Sequence, residues 1–133
     1  AIVIDALDPN ILDWQQSLHL AANKEDLSTD LLKMLVDSFQ QELHEIEQLI
    51  ELEDYPQLEH VLHRLYGATR YVGTPALQDV AGGFEQFVST LRKERRKADD
   101  AFVQETLNRA DELKTVMDQV QQVAQSILSK YEQ

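Results

Sequence analysis

His63 is the residue whose type and position best suit it to act as a nucleophile. The chain has four histidines and no cysteine, so thiol nucleophiles and zinc–thiolate sites are excluded. In the helix predicted over residues 54–72, a rotation of about 100° per residue gathers the apolar side chains into one stripe. His63 lies roughly 160° from the centre of that stripe. Its imidazole is therefore predicted to face outward, and a neutral imidazole is a suitable nucleophile.

Two further residues are predicted to serve this imidazole. Gly67 lies one turn beyond His63 on the same face, and a glycine inside a helix costs about 1 kcal/mol relative to alanine. Clearing space for another protein's surface is one reason to accept that cost. If the next hairpin is centred near Thr74, Glu85 stands opposite His63. Its carboxylate could accept from Nδ1–H and leave Nε2 free. An ordinary solvated position is the alternative for either residue.

Metal binding is another chemistry that histidines and carboxylates support. Di-iron bundles use Glu-x-x-His on two helices, but no histidine here has a glutamate three positions before it. His60 and His63 could clip a metal at i, i+3, yet no further ligands are predicted to converge. We therefore predict that the domain holds no metal and no cofactor. His60 shares the outward face, so the helical wheel alone does not choose between the two histidines.

The elements that position these residues are predicted to be helices. Apolar spacing indicates a short helix over about 12–23, a long helix from Ser28, a third over 54–72, a fourth from Thr74 and a last over about 98–131. Pro56 and Pro75 suit the first turns of the third and fourth helices, and Thr74 suits the N-cap. Residues 1–10 are interpreted as a linker from an upstream domain and 11–133 as one domain. The expected fold is all-α, an antiparallel up-down four-helix bundle with a short additional N-terminal helix.

Composition narrows the class of partner. A net charge of −12 argues against nucleic acid or an anionic membrane. Five of the 12 lysines and arginines lie within residues 92–97, which we interpret as a solvated helix end or inter-helix loop in preference to a binding patch. No apolar run is long enough to span a membrane, so the piece is expected to be soluble. A first residue other than Met suggests a fragment of a larger protein.

The sequence around His63 resembles a known family, the histidine phosphotransfer (HPt) domains. Their motif is histidine, any residue, an apolar residue, usually lysine, then glycine, with a second glycine further on. The matching segment here is His63-Arg64-Leu65-Tyr66-Gly67, followed by Gly73. Further segments are similar to HPt domains of BarA/GacS-type hybrid sensor kinases: Asp13-Trp14, residues 21–27, Gly73-Thr74-Pro75 and Glu85-Gln86.

One position departs from the family pattern. Tyr66 stands where the family usually has lysine, so any help with the phosphoryl charge must come from another residue. Arg64 is adjacent to the histidine and Arg70 lies two turns further along its face. The resemblance thus implies supporting or docking roles for Gly67, Arg64, Tyr66, Arg70 and Gly73.

The resemblance also implies a function for the domain. His63 Nε2 would take a phosphoryl group from a receiver-domain aspartate and pass it to a response regulator, with Mg²⁺ held by the receiver. No glycine-rich phosphate loop or P-loop lysine is present, so the chain is expected to be a phosphocarrier without an ATP site and not an enzyme. Expected partners are receiver domains of the same or a sister hybrid kinase and of a response regulator, without nucleic acid or direct membrane contact. The domain is expected to be monomeric and cytoplasmic, within an inner-membrane hybrid kinase. The alternative is a helical adaptor without chemistry.

Overall fold

The structure is a computed structural model that describes residues 8–131. Within this range it contains five α-helices, one short 3-10 helix and no strand, which confirms the predicted all-α class. The helices are α1 (Trp14–Leu20), α2 (Glu25–Glu51), α3 (Tyr55–Ala68), the 3-10 helix (Thr69–Tyr71), α4 (Pro75–Lys93) and α5 (Asp100–Tyr131). Most of the predicted linker, residues 1–7, lies outside the described residues. Asp8 begins a turn that leads into α1.

The four long helices form the expected bundle. α2 and α4 each pack against both α3 and α5, so every long helix has two neighbours in an up-down arrangement. α1 packs against α2 and covers the end of the bundle where α5 finishes. There the Trp14 ring lies 5.8 Å from the Tyr131 ring.

The inward face of α3 fixes the direction of its outward face. Leu58, Val61, Leu62 and Leu65 are each 0–2% exposed, and burying such a side chain contributes about 1.5–3 kcal/mol. These residues repeat at helical spacing, so rotating α3 to expose them would be unfavourable. His63 is consequently held on the solvent side. Ala68 is apolar but exposed, because it lies at the edge of the apolar stripe, where the chain tightens into the 3-10 turn.

One predicted helix start differs from the structure, and one predicted N-cap lacks its side-chain hydrogen bond. α2 begins at Glu25, one turn before Ser28, because Glu25 and Asp26 favour a helix N-terminus electrostatically. Ser28 is consequently buried within the helix. Thr74 occupies the N-cap position of α4 as predicted, but its hydroxyl donates to the Val72 carbonyl at 3.4 Å and makes no capping hydrogen bond to α4. Pro56 and Pro75 occupy first turns as predicted.

The connection between α3 and α4 is anchored on α1 through Gly73. The Gly73 N–H donates to Ser17 Oγ at 2.8 Å, and the Gly73 carbonyl accepts from Asp13 N–H at 2.7 Å. A Cβ at this position would collide with the Asp13 carbonyl oxygen. Only glycine therefore allows the hairpin to approach α1 this closely.

Candidate functional site

The His63 imidazole and the Glu85 carboxylate form a hydrogen-bonded pair across α3 and α4. Nδ1 lies 2.7 Å from Glu85 Oε1, and the side chains are 70% and 21% exposed respectively. An ionised carboxylate only accepts hydrogen bonds, so Nδ1 must carry the proton. In the neutral imidazole Nε2 is then unprotonated, and its lone pair is available as a nucleophile.

The pair forms because α3 and α4 are antiparallel with a register centred on the hairpin. His63 and Glu85 are equally far in sequence from Thr74, as expected for a hairpin centred there. The same symmetry brings the Tyr66 ring against the backbone of Gly82. A groove runs between the two helices beside these contacts. Its lining residues are Pro56, Glu59, His60, His63, Tyr66, Gly82, Glu85, Gln86, Ser89, Arg92 and Lys93.

Arg64, one of the two expected substitutes for the family lysine, is engaged elsewhere. Its Nη2 lies 2.9 Å from Glu42 Oε1 and 3.1 Å from Glu45 Oε2, both on α2. The hydrogen bond to Glu42 is the largest cause that raises the pKa of the guanidinium. Two carboxylates thus offset the Arg64 charge, and its side chain points toward α2 and away from the groove.

Arg70, the other expected substitute, lies against the Tyr66 ring. The guanidinium carbon is 5.3 Å from the ring centroid, within the usual range of a cation–π contact. Arg70 is exposed, and no carboxylate within the described range lies within 4.0 Å of its guanidinium. Among residues 8–131, Arg64 is paired with carboxylates, whereas the Arg70 guanidinium beside Tyr66 is not.

Gly67 borders a different groove, between α3 and α2. Apart from its own helix backbone and its chain neighbours, a Cβ on Gly67 would have no atom of residues 8–131 within 4 Å, so the glycine opens this surface and serves no close packing with another element. Met34 and Tyr71, which line the same groove, are 68% and 64% exposed. An apolar surface therefore begins one helical turn from the imidazole. Gly73, by contrast, is buried against α1 and does not reach a docking surface, so its expected role is limited to support.

Sequence reasoning missed Gly82 and the ion pair between Glu59 and Arg92. Arg92 Nη2 lies 2.6 Å from Glu59 Oε1, and this hydrogen bond raises the pKa of the guanidinium. The sequence signal that could have pointed to Gly82 is the pair Gly82-Gly83 inside an otherwise periodic helix. The basic run that contains Arg92 is largely exposed as expected, although the Arg96 guanidinium stacks within 5.4 Å of two aromatic rings.

Within residues 8–131, no group of three or more histidine, cysteine, aspartate or glutamate side chains could hold a metal ion. The expectation that the domain carries no cofactor stays a prediction. No helix in the described part of the chain is long and apolar enough to cross a membrane. His60 is exposed and lines the same groove as His63.

The chain is similar to one protein family and to several curated histidine kinases and sensor proteins. A protein-family profile described as "Hpt domain" matches residues 30–123. The chain is 34% identical over 89 residues to the signal transduction histidine-protein kinase BarA of Escherichia coli K12, covering 66% of the chain and 10% of that protein. It is 38% identical over 86 residues to the sensor protein GacS of Pseudomonas syringae pv. syringae, covering 65% of the chain and 9% of that protein. The chain thus spans about a tenth of these curated relatives.

A solved structure is also similar over nearly the whole chain. It is the HPT domain of a sensor hybrid histidine kinase from Shewanella, 27% identical in sequence, with a TM-score of 0.67. The match covers 90% of this chain and 97% of that one. The profile match includes both members of the hydrogen-bonded pair at the α3–α4 groove.

Proposed function

The chain belongs to the Hpt domain family, the phosphocarriers of two-component phosphorelays, and we propose that His63 is its phosphoacceptor. The observation that carries the proposal is the 2.7 Å contact from Nδ1 to Glu85 on an imidazole that is 70% exposed. This contact fixes the tautomer, and the exposure leaves Nε2 open to a partner. His60 shares the groove, but no carboxylate contact is found for it in the described range.

Phosphoryl transfer to His63 needs no additional acid or base. Nε2 of neutral His63 attacks the phosphorus of a receiver's aspartyl phosphate, the N–P bond forms and the acyl O–P bond breaks. The aspartate leaves as a carboxylate, while Nδ1 keeps its proton and the ring becomes positively charged. Glu85 faces this new charge through its hydrogen bond. Transfer of this kind depends mainly on positioning and on neutralising charge, and the reverse step delivers the group to the next receiver.

The surface next to the imidazole supports a protein as the phosphoryl donor. Gly67 leaves open space one turn from His63, and the exposed side chains of Met34 and Tyr71 provide apolar contact area there. We propose that receiver domains of a hybrid kinase and of a response regulator dock over this side. In this proposal Mg²⁺ belongs to the receiver, and Arg70 assists with the phosphoryl charge in place of the family lysine.

The wider context is proposed from the relatives. BarA and GacS are by name a histidine-protein kinase and a sensor protein, and we propose that this domain belongs to a parent hybrid kinase and acts in the cytoplasm as a monomer. It would relay phosphate without making it from ATP, because no phosphate-binding loop is found in the sequence.

Paired histidine variants test the acceptor assignment. A receiver charged with acetyl phosphate is mixed with the wild-type domain, His63→Gln or His60→Gln, and phosphoryl uptake is followed. We expect His63→Gln to lose uptake and His60→Gln to keep it, with both variants folded because both side chains are exposed. Uptake by His63→Gln together with loss in His60→Gln would contradict the proposal.

A further inference from the structure

Two contacts join α3 to α4 one helical turn apart, and both are symmetric about Thr74. One is the hydrogen bond between His63 and Glu85. The other is the packing of the Tyr66 ring on Gly82, where an added Cβ would lie 2.8 Å from Cε2 and 3.0 Å from Cδ2 of the ring. These separations are shorter than van der Waals contact between carbons. The ring can occupy this place only because residue 82 is glycine.

We infer that the Tyr66 ring, packed on Gly82, sets the separation of α3 and α4 at which Glu85 reaches Nδ1 of His63. Tyr66 and Gly82 are then positioning residues for the imidazole. The inference rests on the proposed function, because it adds two residues to the same site. It also accounts for the departure from the family motif, since the flexible end of a lysine at position 66 would not require a glycine at 82.

The hydrogen bond between His63 and Glu85 is sensitive to the separation of α3 and α4. The His63–Glu85 contact measures 2.7 Å, and a hydrogen bond is lost when the atoms part by roughly 1 Å. A methyl group at position 82 must either part the helices or displace the ring. The ring is also in contact with the Arg70 guanidinium, whose carbon is 5.3 Å from its centroid. Parting the helices would lengthen the His63–Glu85 contact, whereas displacing the ring would remove the spacer between the helices and also move it away from the Arg70 guanidinium.

Gly83 supplies a matched control in the same helix. A Cβ there would meet only Nη1 of Arg109 on α5, at an ordinary 3.4 Å. Both Gly82→Ala and Gly83→Ala add one methyl group and raise helix propensity equally. They differ in whether the methyl group meets the Tyr66 ring. A difference between these variants therefore reports the ring contact and not the helix propensity.

The test measures the tautomer of neutral His63 by ¹⁵N NMR in the complete chain, together with phosphoryl uptake from a charged receiver. We expect the Nδ1–H tautomer to dominate in the wild type and in Gly83→Ala. In Gly82→Ala we expect a mixed population and uptake slower by about tenfold or more, because small misplacements strongly slow a positioned reaction. An unchanged tautomer in Gly82→Ala, or an equal change in Gly83→Ala, would overturn the inference.

A second variant decides the matter if Gly82→Ala does not fold. Tyr66→Ala removes the ring and adds no atom, and it too should give a mixed tautomer. Retention of the wild-type tautomer in Tyr66→Ala would overturn the inference. The tautomer is measured without any receiver, so an error in the acceptor assignment would appear in the uptake assay alone. The two proposals can therefore fail separately.

Discussion

Replacing Glu85 with alanine should slow phosphoryl transfer and leave the fold intact. In the structure the carboxylate lies 2.7 Å from Nδ1 of His63, where positive charge develops as Nε2 bonds to phosphorus. A hydrogen bond to a charged group contributes about 1.5–3 kcal/mol, and each ~1.4 kcal/mol changes a rate tenfold. Glu85→Ala should therefore reduce the transfer rate about 10- to 100-fold.

Folding stability should respond much less to the same change. The His63 side chain is 70% exposed, and exposed ion pairs contribute about 0–1 kcal/mol. The melting temperature should thus stay close to that of the wild type. Glu85→Gln keeps the shape and an oxygen acceptor without the charge, so its transfer rate should fall between those of the wild type and Glu85→Ala.

The assay is rapid-quench transfer from a phosphorylated receiver, with thermal unfolding followed by circular dichroism. Glu59→Ala is the control, because it removes another carboxylate of the same groove, one that pairs with Arg92 instead of the imidazole. Glu59→Ala should transfer at the wild-type rate. If Glu85→Ala also transfers at the wild-type rate, or if both variants slow equally, the orienting role of Glu85 is wrong.

Four further substitutions test the residues expected to support the imidazole or the docking surface. Gly67→Leu should hold or raise stability by up to about 1 kcal/mol in urea unfolding, yet transfer should fall sharply. Unfolding, or a wild-type rate, would contradict the docking argument. Gly73→Ala should lower the free energy of unfolding by about 1–3 kcal/mol, because its Cβ meets the Asp13 carbonyl oxygen; wild-type stability would refute this. Arg70→Gln should shorten the half-life of the phosphorylated domain. Arg64→Gln should not, since two carboxylates already offset the Arg64 charge. Equal half-lives in the two variants would exclude Arg70 as the residue that stabilises the phosphoryl group.

The main geometry of the site follows from patterns that a sequence carries. Buried residues at helical spacing determine which side of α3 faces solvent, so the exposure of His63 could be predicted from the wheel. Glu85 could be predicted opposite His63 only by assuming that the hairpin is centred on Thr74, since the two residues are equally far in sequence from that position. Both inferences use only the period of one helix and the length of one turn.

Contacts that depend on side-chain conformation could not be predicted in the same way. Only residues 52–54 join α2 to α3, but the pairing of Arg64 with Glu42 also depends on the direction that a long, flexible arginine side chain takes. The Tyr66–Gly82 contact depends on a side-chain rotamer as well as on the hairpin. The start of α2 was wrong because Ser28 has the side chain of an N-cap, whereas charge in the preceding turn decided the boundary.

Locating the phosphoryl group on the wild-type domain tests the central claim most directly. The domain is charged by a phosphorylated receiver, and the modified nitrogen is assigned by ³¹P–¹⁵N correlation with peptide mapping at neutral pH. The account predicts a single phosphoryl group on Nε2 of His63. A phosphoryl group on His60, or on Nδ1 of His63 where Glu85 now binds, would contradict it.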